Sequence, residues 1–223
     1  MEESLFTTLL SLPLFQGLGY EDVTRIVEST RLEFSTLHPG ELLCKQDAVC
    51  DAVHIGISGR LGVRTLSADR SWAVEEDLPE HGVVGLDVLY GRRRTYANTY
   101  TALEPTRLVT IDKHTIGALF RFFEVMQMSA FNMLTTEIAQ RDRLLWLPPA
   151  QTLVDRIKHF MLCHVLRPAG RKRFKISMAL LGQYLSEDQR RISKALHSMA
   201  DEGLVQLYRR AVAIDSFERL LNG

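Results

Sequence analysis

Residues 177–203, SMALLGQYLSEDQRRISKALHSMADEG, constrain the chain more than any other stretch. Ser177 stands where it can cap a short helix whose inner face is Leu180, Leu181, Tyr184 and Leu185. Ser186-Glu187-Asp188 makes a tight turn, and Asp188 is placed to cap a second helix. That helix has Ile192, Leu196 and Met199 at steps of four and three, so it has one face to bury. Gln189, Arg190, Ser193, Lys194 and His197 lie on its other side. Gly203 then offers the left-handed conformation in which helices often end. Leu204 to Leu207 and Ala211 to Ile214 alternate as two strands around Tyr208-Arg209-Arg210. A charged helix face alone is usually solvated surface. The ordered series of helix, turn, helix, glycine and basic hairpin is much rarer by chance, and it predicts a winged helix-turn-helix.

Two short helices around such a turn, the second with long polar side chains at its start, fit a helix into the DNA major groove. Gln189, Arg190 and Lys194 are the expected base readers, because Arg can bridge the guanine acceptors and Gln the adenine donor–acceptor pair. Arg191, Ser193 and His197, with Arg209 and Arg210 of the wing, are expected on phosphate. Charge agrees with this placement. The chain is neutral overall, with 27 Lys and Arg against 27 Asp and Glu. Residues 146–223 hold thirteen of the cations and seven of the acids, a net +6 that leaves −6 on the rest. A basic carboxy-terminal third is where phosphate would be met.

The remainder reads as a different structure. Leu9, Leu12, Leu14, Leu18, Val23 and Ile26 suggest short helices broken by Pro13, Gly17 and Gly19. From Leu32 to Ile111 the pattern becomes short alternating runs punctuated by turn formers, as in a β-roll or jelly roll. A long helical stretch then runs to about Trp146. Phe131, Leu134, Ile138 and Leu145 form a seam along it, with Met126 and Met133 one heptad apart beside them. Pairing with the same helix of a second chain is the favoured use, giving a homodimer; packing on its own domain is the alternative. Pro148-Pro149 ends the helix and marks a hinge. Beyond it Val154, Ile157, Phe160, Met161 and Val165 form another amphipathic helix, Pro168 to Arg173 a basic loop, and Phe174 to Ile176 a short strand. The expected class is α+β: an effector-sensing β-roll with short amino-terminal helices over 1–114, a dimerisation helix over 115–147, and a winged helix-turn-helix over 148–223 whose recognition helix spans 188–202.

Other chemistries find little support. Cys44, Cys50 and Cys163 are too few and too irregular for a disulfide framework or a four-cysteine zinc site, and are expected as packed thiols. Histidines 38, 54, 81 and 114 are scattered, which makes structural roles the expectation over haem ligation by His54 or His81. No nucleophile–base pair has recognisable spacing, so no enzyme is expected. No run is long enough for a membrane span, and the acidic start Met1-Glu2-Glu3-Ser4 is unlike a secretory leader. A cytoplasmic location without a membrane partner follows as the expectation.

Residues 181–196, LGQYLSEDQRRISKAL, resemble without a gap the helix-turn-helix of the Crp/Fnr superfamily of transcription regulators. Leu12-Pro13-Leu14-Phe15 with Leu18 is similar to that family's opening helix. His38-Pro39-Gly40-Glu41 and Ile57-Ser58-Gly59-Arg60-Leu61 resemble the glycine turns of its cyclic-nucleotide-binding β-roll. The resemblance implies a homodimer that binds a pseudo-palindromic double-stranded DNA site, works with RNA polymerase and responds to an effector in the roll. Gln189, Arg190 and Lys194 stand where the family commonly has Arg, Glu and Arg, which implies a different half-site sequence.

Gly85 to Gly91 with Arg92-Arg93-Arg94-Thr95 resembles the family's phosphate-binding cassette. Arg94-Thr95 matches its Arg-Ser pair, but Leu86 replaces the glutamate that holds the ribose hydroxyl, and the intervening loop is shorter. A leucine cannot accept that hydroxyl, and an unpaired buried hydroxyl costs about 1–3 kcal/mol. Cyclic AMP is therefore not the expected effector. Asp87 is a weak substitute, since neighbouring strand residues face opposite ways. Gly85, Leu86, Asp87, Arg94 and Thr95 remain the candidate pocket for a small anionic effector, against the alternative of a solvated basic loop. A signalling module that binds a small molecule but has lost DNA binding is the competing function.

Overall fold

The computed structural model describes residues 5–222; the acidic residues 1–4 lie outside them. Along the chain come α1 (Leu5–Ser11), a 3-10 turn (Pro13–Phe15), α2 (Tyr20–Ser29), β1 (Glu33–Leu37), β2 (Leu42–Cys44), β3 (Ala52–Ser58), β4 (Leu61–Leu66), β5 (Ala73–Leu78) and β6 (Val83–Val84). There follow β7 (Thr99–Ala102), β8 (Thr106–Asp112), α3 (Lys113–Phe122), α4 (Glu124–Leu145) and α5 (Leu153–Cys163). The chain ends with β9 (Lys172–Lys175), α6 (Met178–Leu185), α7 (Gln189–Asp201), β10 (Gln206–Tyr208), β11 (Ala211–Ile214) and α8 (Phe217–Asn222).

These elements form two compact units. The first takes the chain up to Leu61 together with Leu78–Leu145. It holds a sheet in the order β1-β8-β3-β6, with β2 paired antiparallel to β7. Val53, Ile55 and Ile57 of β3 alternate inward and are buried with Leu108, Val109 and Ile111 of β8. Gly59 must be glycine at this corner: its φ is +86°, and a Cβ would lie 2.5 Å from the Pro105 carbonyl oxygen. The stretch expected as one long helix is two, because α3 ends at Phe122 before α4 begins at Glu124. Asp112 caps α3 by accepting the amides of His114 (2.9 Å) and Thr115 (3.0 Å).

The second unit takes Gly62–Asp77 and the chain from Trp146 onward. Its sheet runs β10-β11-β9-β5-β4, so the β4–β5 hairpin belongs with the carboxy-terminal elements. This departs from the division at 114 and 147. β5 was not legible as a strand because the inward alternation of Ala73-Val74-Glu75-Glu76 puts an acid, Glu76, in the interior. The run expected as a basic loop also differs: Lys172 and Arg173 are in β9, and Lys172 is buried. Glu76 and Lys172 stand opposite each other in the β5–β9 register, their charges 2.9 Å apart and only 3% and 1% exposed. The core gathers Ile157, Phe160, Phe174, Leu181, Ile192, Leu196, Ile214 and Phe217 around one centre.

Candidate nucleic-acid interface

The two helices of the motif are fixed by their ends. The Ser177 hydroxyl accepts the Leu180 amide at 3.2 Å, and the Asp188 carboxylate accepts the Arg190 amide at 2.7 Å. Between them Ser186 is left-handed, at φ +50° and ψ +47°, and donates its amide to carbonyls at the end of α6. Gly182 lies where a Cβ would meet the Glu187 carbonyl oxygen at 2.6 Å, so the turn closes tightly over a glycine. At the far end of α7, Gly203 at φ +68° donates to Ala200 at 2.9 Å while Leu204 donates to Met199 at 2.9 Å.

Ile192, Leu196 and Met199 are buried, which turns the opposite face of α7 outward. Asp188, Gln189, Arg190, Ser193 and Lys194 line one continuous recess on that face. Gln189, Arg190 and Lys194 are exposed and have no carboxylate partner among the described residues. His197 is tied to its own helix, its Nδ1 2.7 Å from the Ser193 carbonyl oxygen. The wing brings Arg209 and Arg210 to the tip of β10–β11, both exposed, with Arg210 left-handed at φ +60°. A cleft of about 300 Å³ between helix and wing is bordered by Ser177, Gln189, Tyr208, Arg209 and Arg210.

Arg191 is placed differently from its neighbours. Its Nη1 lies 2.7 Å from Glu187 Oε2, and Arg156 of α5 holds Glu187 Oε1 at 2.7 Å. Arg156 also donates to the Leu185 carbonyl. Glu187 thus ties α5, the turn and α7 together, with 10% of its side chain exposed. The sequence marked Glu187 only as a turn residue and gave no sign of Arg156, because their pairing joins positions 31 residues apart. Tyr184, expected on the inner face of α6, is half exposed, and its hydroxyl accepts the Trp72 indole N–H at 3.1 Å.

In the first unit the candidate effector residues are arranged around Gly85, left-handed at φ +92°. A Cβ there would lie 2.7 Å from the Ala52 carbonyl oxygen. Leu86 and Leu89 are core residues, so the position that would need a ribose-binding acid faces inward. Arg92, Arg93 and Arg94 are exposed and Thr95 is half-buried, forming a bridge with Val49. Asp87 is reached by water, yet the surrounding chain desolvates its carboxyl enough to raise its pKa, and the Glu137 carboxylate adds to the rise.

Behind Gly85 a hydrogen-bond chain accounts for His54. Its Nδ1 is 2.9 Å from Thr110 Oγ1 and its Nε2 is 3.0 Å from the Tyr96 hydroxyl. The Cys50 thiol donates to the Ala52 and Gly85 carbonyls at 3.4 and 3.5 Å and bonds Tyr96. Burial lowers the His54 pKa, and both nitrogens are occupied, which disfavours His54 as a haem ligand. His81 is 3.3 Å from the Gly56 carbonyl through Nδ1. Cys44 and Cys50 are buried as expected while Cys163 is exposed; burial pushes the Cys44 thiol up to about 12.

On α4 the residues expected to meet a second chain separate into two sets. Phe131, Ile138 and Leu145 are exposed, at 50, 66 and 79%, and Met133 and Leu134 are half-buried. Met126 is fully buried in its own unit, on the inner side of the helix with Ala130, and so is removed from that surface.

No family model matches the chain, and no curated protein matches it. Solved structures do. The catabolite activator protein of Thermus thermophilus is 20% identical, with 94% of this chain and 96% of that one covered at a TM-score of 0.53. The c-di-GMP-responsive regulator CLP of Xanthomonas campestris is 13% identical over 88% of this chain and 99% of its own, with a TM-score of 0.49. DNR of Pseudomonas aeruginosa is 20% identical over 100% and 99%, with a TM-score of 0.46. Identities this low speak to fold, and the first of these likenesses carries it: the chain has the α+β fold of a catabolite-activator-type regulator, the Crp/Fnr-like architecture that its sequence resembles.

Proposed function

We propose that the protein is a dimeric, sequence-specific DNA-binding transcription regulator that reads a pseudo-palindromic site with α7. The observation that carries this reading is the outward face of α7: Gln189, Arg190 and Lys194 side by side, unpaired, at the amino-terminal end of a helix whose other face is buried. Arg209 and Arg210 at the wing tip supply cations for adjacent phosphates, as do Ser193 and His197 with hydrogen-bonding groups. Arg191 contributes less, since Glu187 already engages it. The exposed Phe131, Ile138 and Leu145, spaced by heptads, support pairing of α4 with its copy in a second chain, alongside Met133 and Leu134. RNA polymerase is the further partner that the sequence resemblance to Crp/Fnr regulators implies.

Leu86 and Leu89 in the core argue against cyclic AMP as effector, while Arg94 and Thr95 leave a small anion as the candidate ligand. The reading is tested by selecting bound sequences from random duplex DNA at low salt. A two-fold symmetric site with half-sites about one helical turn apart is expected. Replacing Gln189, Arg190 and Lys194 together by alanine should abolish the preference for that site. Recovery of no sequence overturns the reading and leaves the signalling module without DNA binding, whereas a triple variant that discriminates like the wild type overturns base reading by α7.

A further inference from the structure

The second unit contains a hairpin that its sequence position assigns elsewhere. Gly62–Asp77 lies among the strands of the roll in sequence, yet β5 adds to the edge of β9, pairing Ala73 with Lys175 through Glu76 with Lys172. The pairing is chemically selective. β5 brings Glu75 and Glu76 against the Lys172, Arg173 and Lys175 of β9, with Glu76 and Lys172 as a buried ion pair and Glu75 bonded to Lys175. Glu76 also accepts the Leu166 amide at 2.9 Å. Beyond the strand, Trp72 docks on the helices. Its ring packs on Phe160 at 5.3 Å, on His164 at 4.9 Å and on Tyr184 at 5.8 Å, and its N–H bonds the Tyr184 hydroxyl. Phe160 and His164 belong to α5 and its cap, and Tyr184 to α6, the helix that supports α7.

Two properties make this contact suitable for control. Strand addition to an open edge is a mode by which separate peptides dock and leave, because the edge itself stays intact. A buried ion pair specifies its partner more than it stabilises it. The chain also leaves the hairpin at both ends, toward Leu61 and Leu78 of the first unit, so the second unit is joined to the first at three points of the chain.

We propose that the Gly62–Asp77 hairpin is a regulatory arm: added to β9 and docked through Trp72, it holds α6 and α7 in place, and its release loosens them and weakens DNA binding. The DNA-binding part of this rests on the function proposed above; the positioning of α6 and α7 does not.

The test uses the full chain carrying Cys163→Ser. Glu75→Cys with Arg173→Cys places two thiols at opposed positions of adjacent antiparallel strands, within disulfide reach. Trp72→Ala in that background removes the dock. Amide exchange is followed in α6 and α7, and affinity for the selected site by anisotropy, with the engineered pair reduced and oxidised. With the pair reduced, Trp72→Ala should speed exchange in both helices and weaken DNA binding about tenfold, within the range of ordinary coupling. Oxidation should restore both to near the Trp72 level. Unchanged exchange in α6 and α7 after Trp72→Ala overturns the arm, as does a crosslink that restores neither property. A wild type that binds no DNA defeats the functional reading alone, and the exchange measurement then decides the arm by itself.

Discussion

Glu76 and Lys172 allow a stability prediction with an internal contrast. Each is nearly inaccessible, and they face each other across the β5–β9 pair at 2.9 Å. Replacing Glu76 with Leu leaves the Lys172 ammonium at 1% exposure with no other hydrogen-bond partner among the described residues and only the solvated Glu218 carboxylate to offset its charge. Removing one partner of such a pair costs about 3–5 kcal/mol, and this variant belongs at the upper end. Replacing Lys172 with Met strands less charge, because Glu76 still accepts the Leu166 amide and has the Arg167 guanidinium nearby. That variant should lose about 3 kcal/mol or somewhat less. The double replacement removes both charges and adds apolar surface, leaving chiefly the Leu166 amide unpaired, a cost of about 1–3 kcal/mol that the new packing offsets. It should therefore be at least about 2 kcal/mol more stable than Glu76→Leu alone. Urea unfolding reports this through Trp72, which is buried in the same unit, in a Trp146→Phe background that removes the exposed second indole. Additive losses in the double variant would refute the claim that the pair is held by desolvated charge rather than by two independent contacts.

Glu187→Ala should cost unit 2 about 2 kcal/mol, two charge-assisted bonds reduced by the exposure of both arginines; a loss under about 0.5 kcal/mol in the same assay would mean the brace is cosmetic. Ser186→Gly should stabilise by about 1 kcal/mol, since Ser186 holds a left-handed conformation that costs L-residues about that much; denaturant midpoints decide it. The first unit should lose stability as pH falls below about 6.5, the unfolded value for histidine, because burial depresses the His54 pKa and the unfolded chain then binds the proton first. The loss should continue down to the depressed folded value and then level off. His54→Gln should flatten this dependence in melting curves taken between pH 7.5 and 5.5, and an unchanged slope would place the titration on another group.

The helix-turn-helix was legible because its determinants are local. Ser177, Asp188 and Gly203 each act within three or four residues of the chain, and the burial of Ile192, Leu196 and Met199 follows from helical period alone. The roll was legible where aliphatic alternation marks it, as in β3 and β8. It was not where a strand lacks that signal: β7 reads Thr-Tyr-Thr-Ala, and β5 buries a glutamate. Glu76 and Lys172 are separated by most of a domain in sequence, and only pairing explains why either could be inside. The same holds for Met126, whose heptad spacing placed it on the helix correctly without deciding which neighbour it meets.

Pairing also redistributes the positive charge of the carboxy-terminal third. The hairpin contributes two arginines against four acids, so the compact unit is less basic than residues 146–223 alone. Lys172, Lys175, Arg156 and Arg191 are each committed to a carboxylate of the unit. Among the described residues, the cations of α7 and the wing tip without one are Arg190, Lys194, Arg209 and Arg210, with Arg173 of β9 over the Tyr208 ring beside them. Salt dependence of DNA binding should therefore rest on few residues. Each phosphate neutralised contributes a slope of about −0.9 in log affinity against log salt. Arg209→Ala should shallow the slope by about one per half-site, or about two for a symmetric dimer, and weaken all sequences alike. Lys175→Ala, which removes a cation already held by Glu75, should leave the slope unchanged. Equal effects of the two substitutions would show that the whole unit's charge, rather than the α7 and wing face, governs contact with DNA.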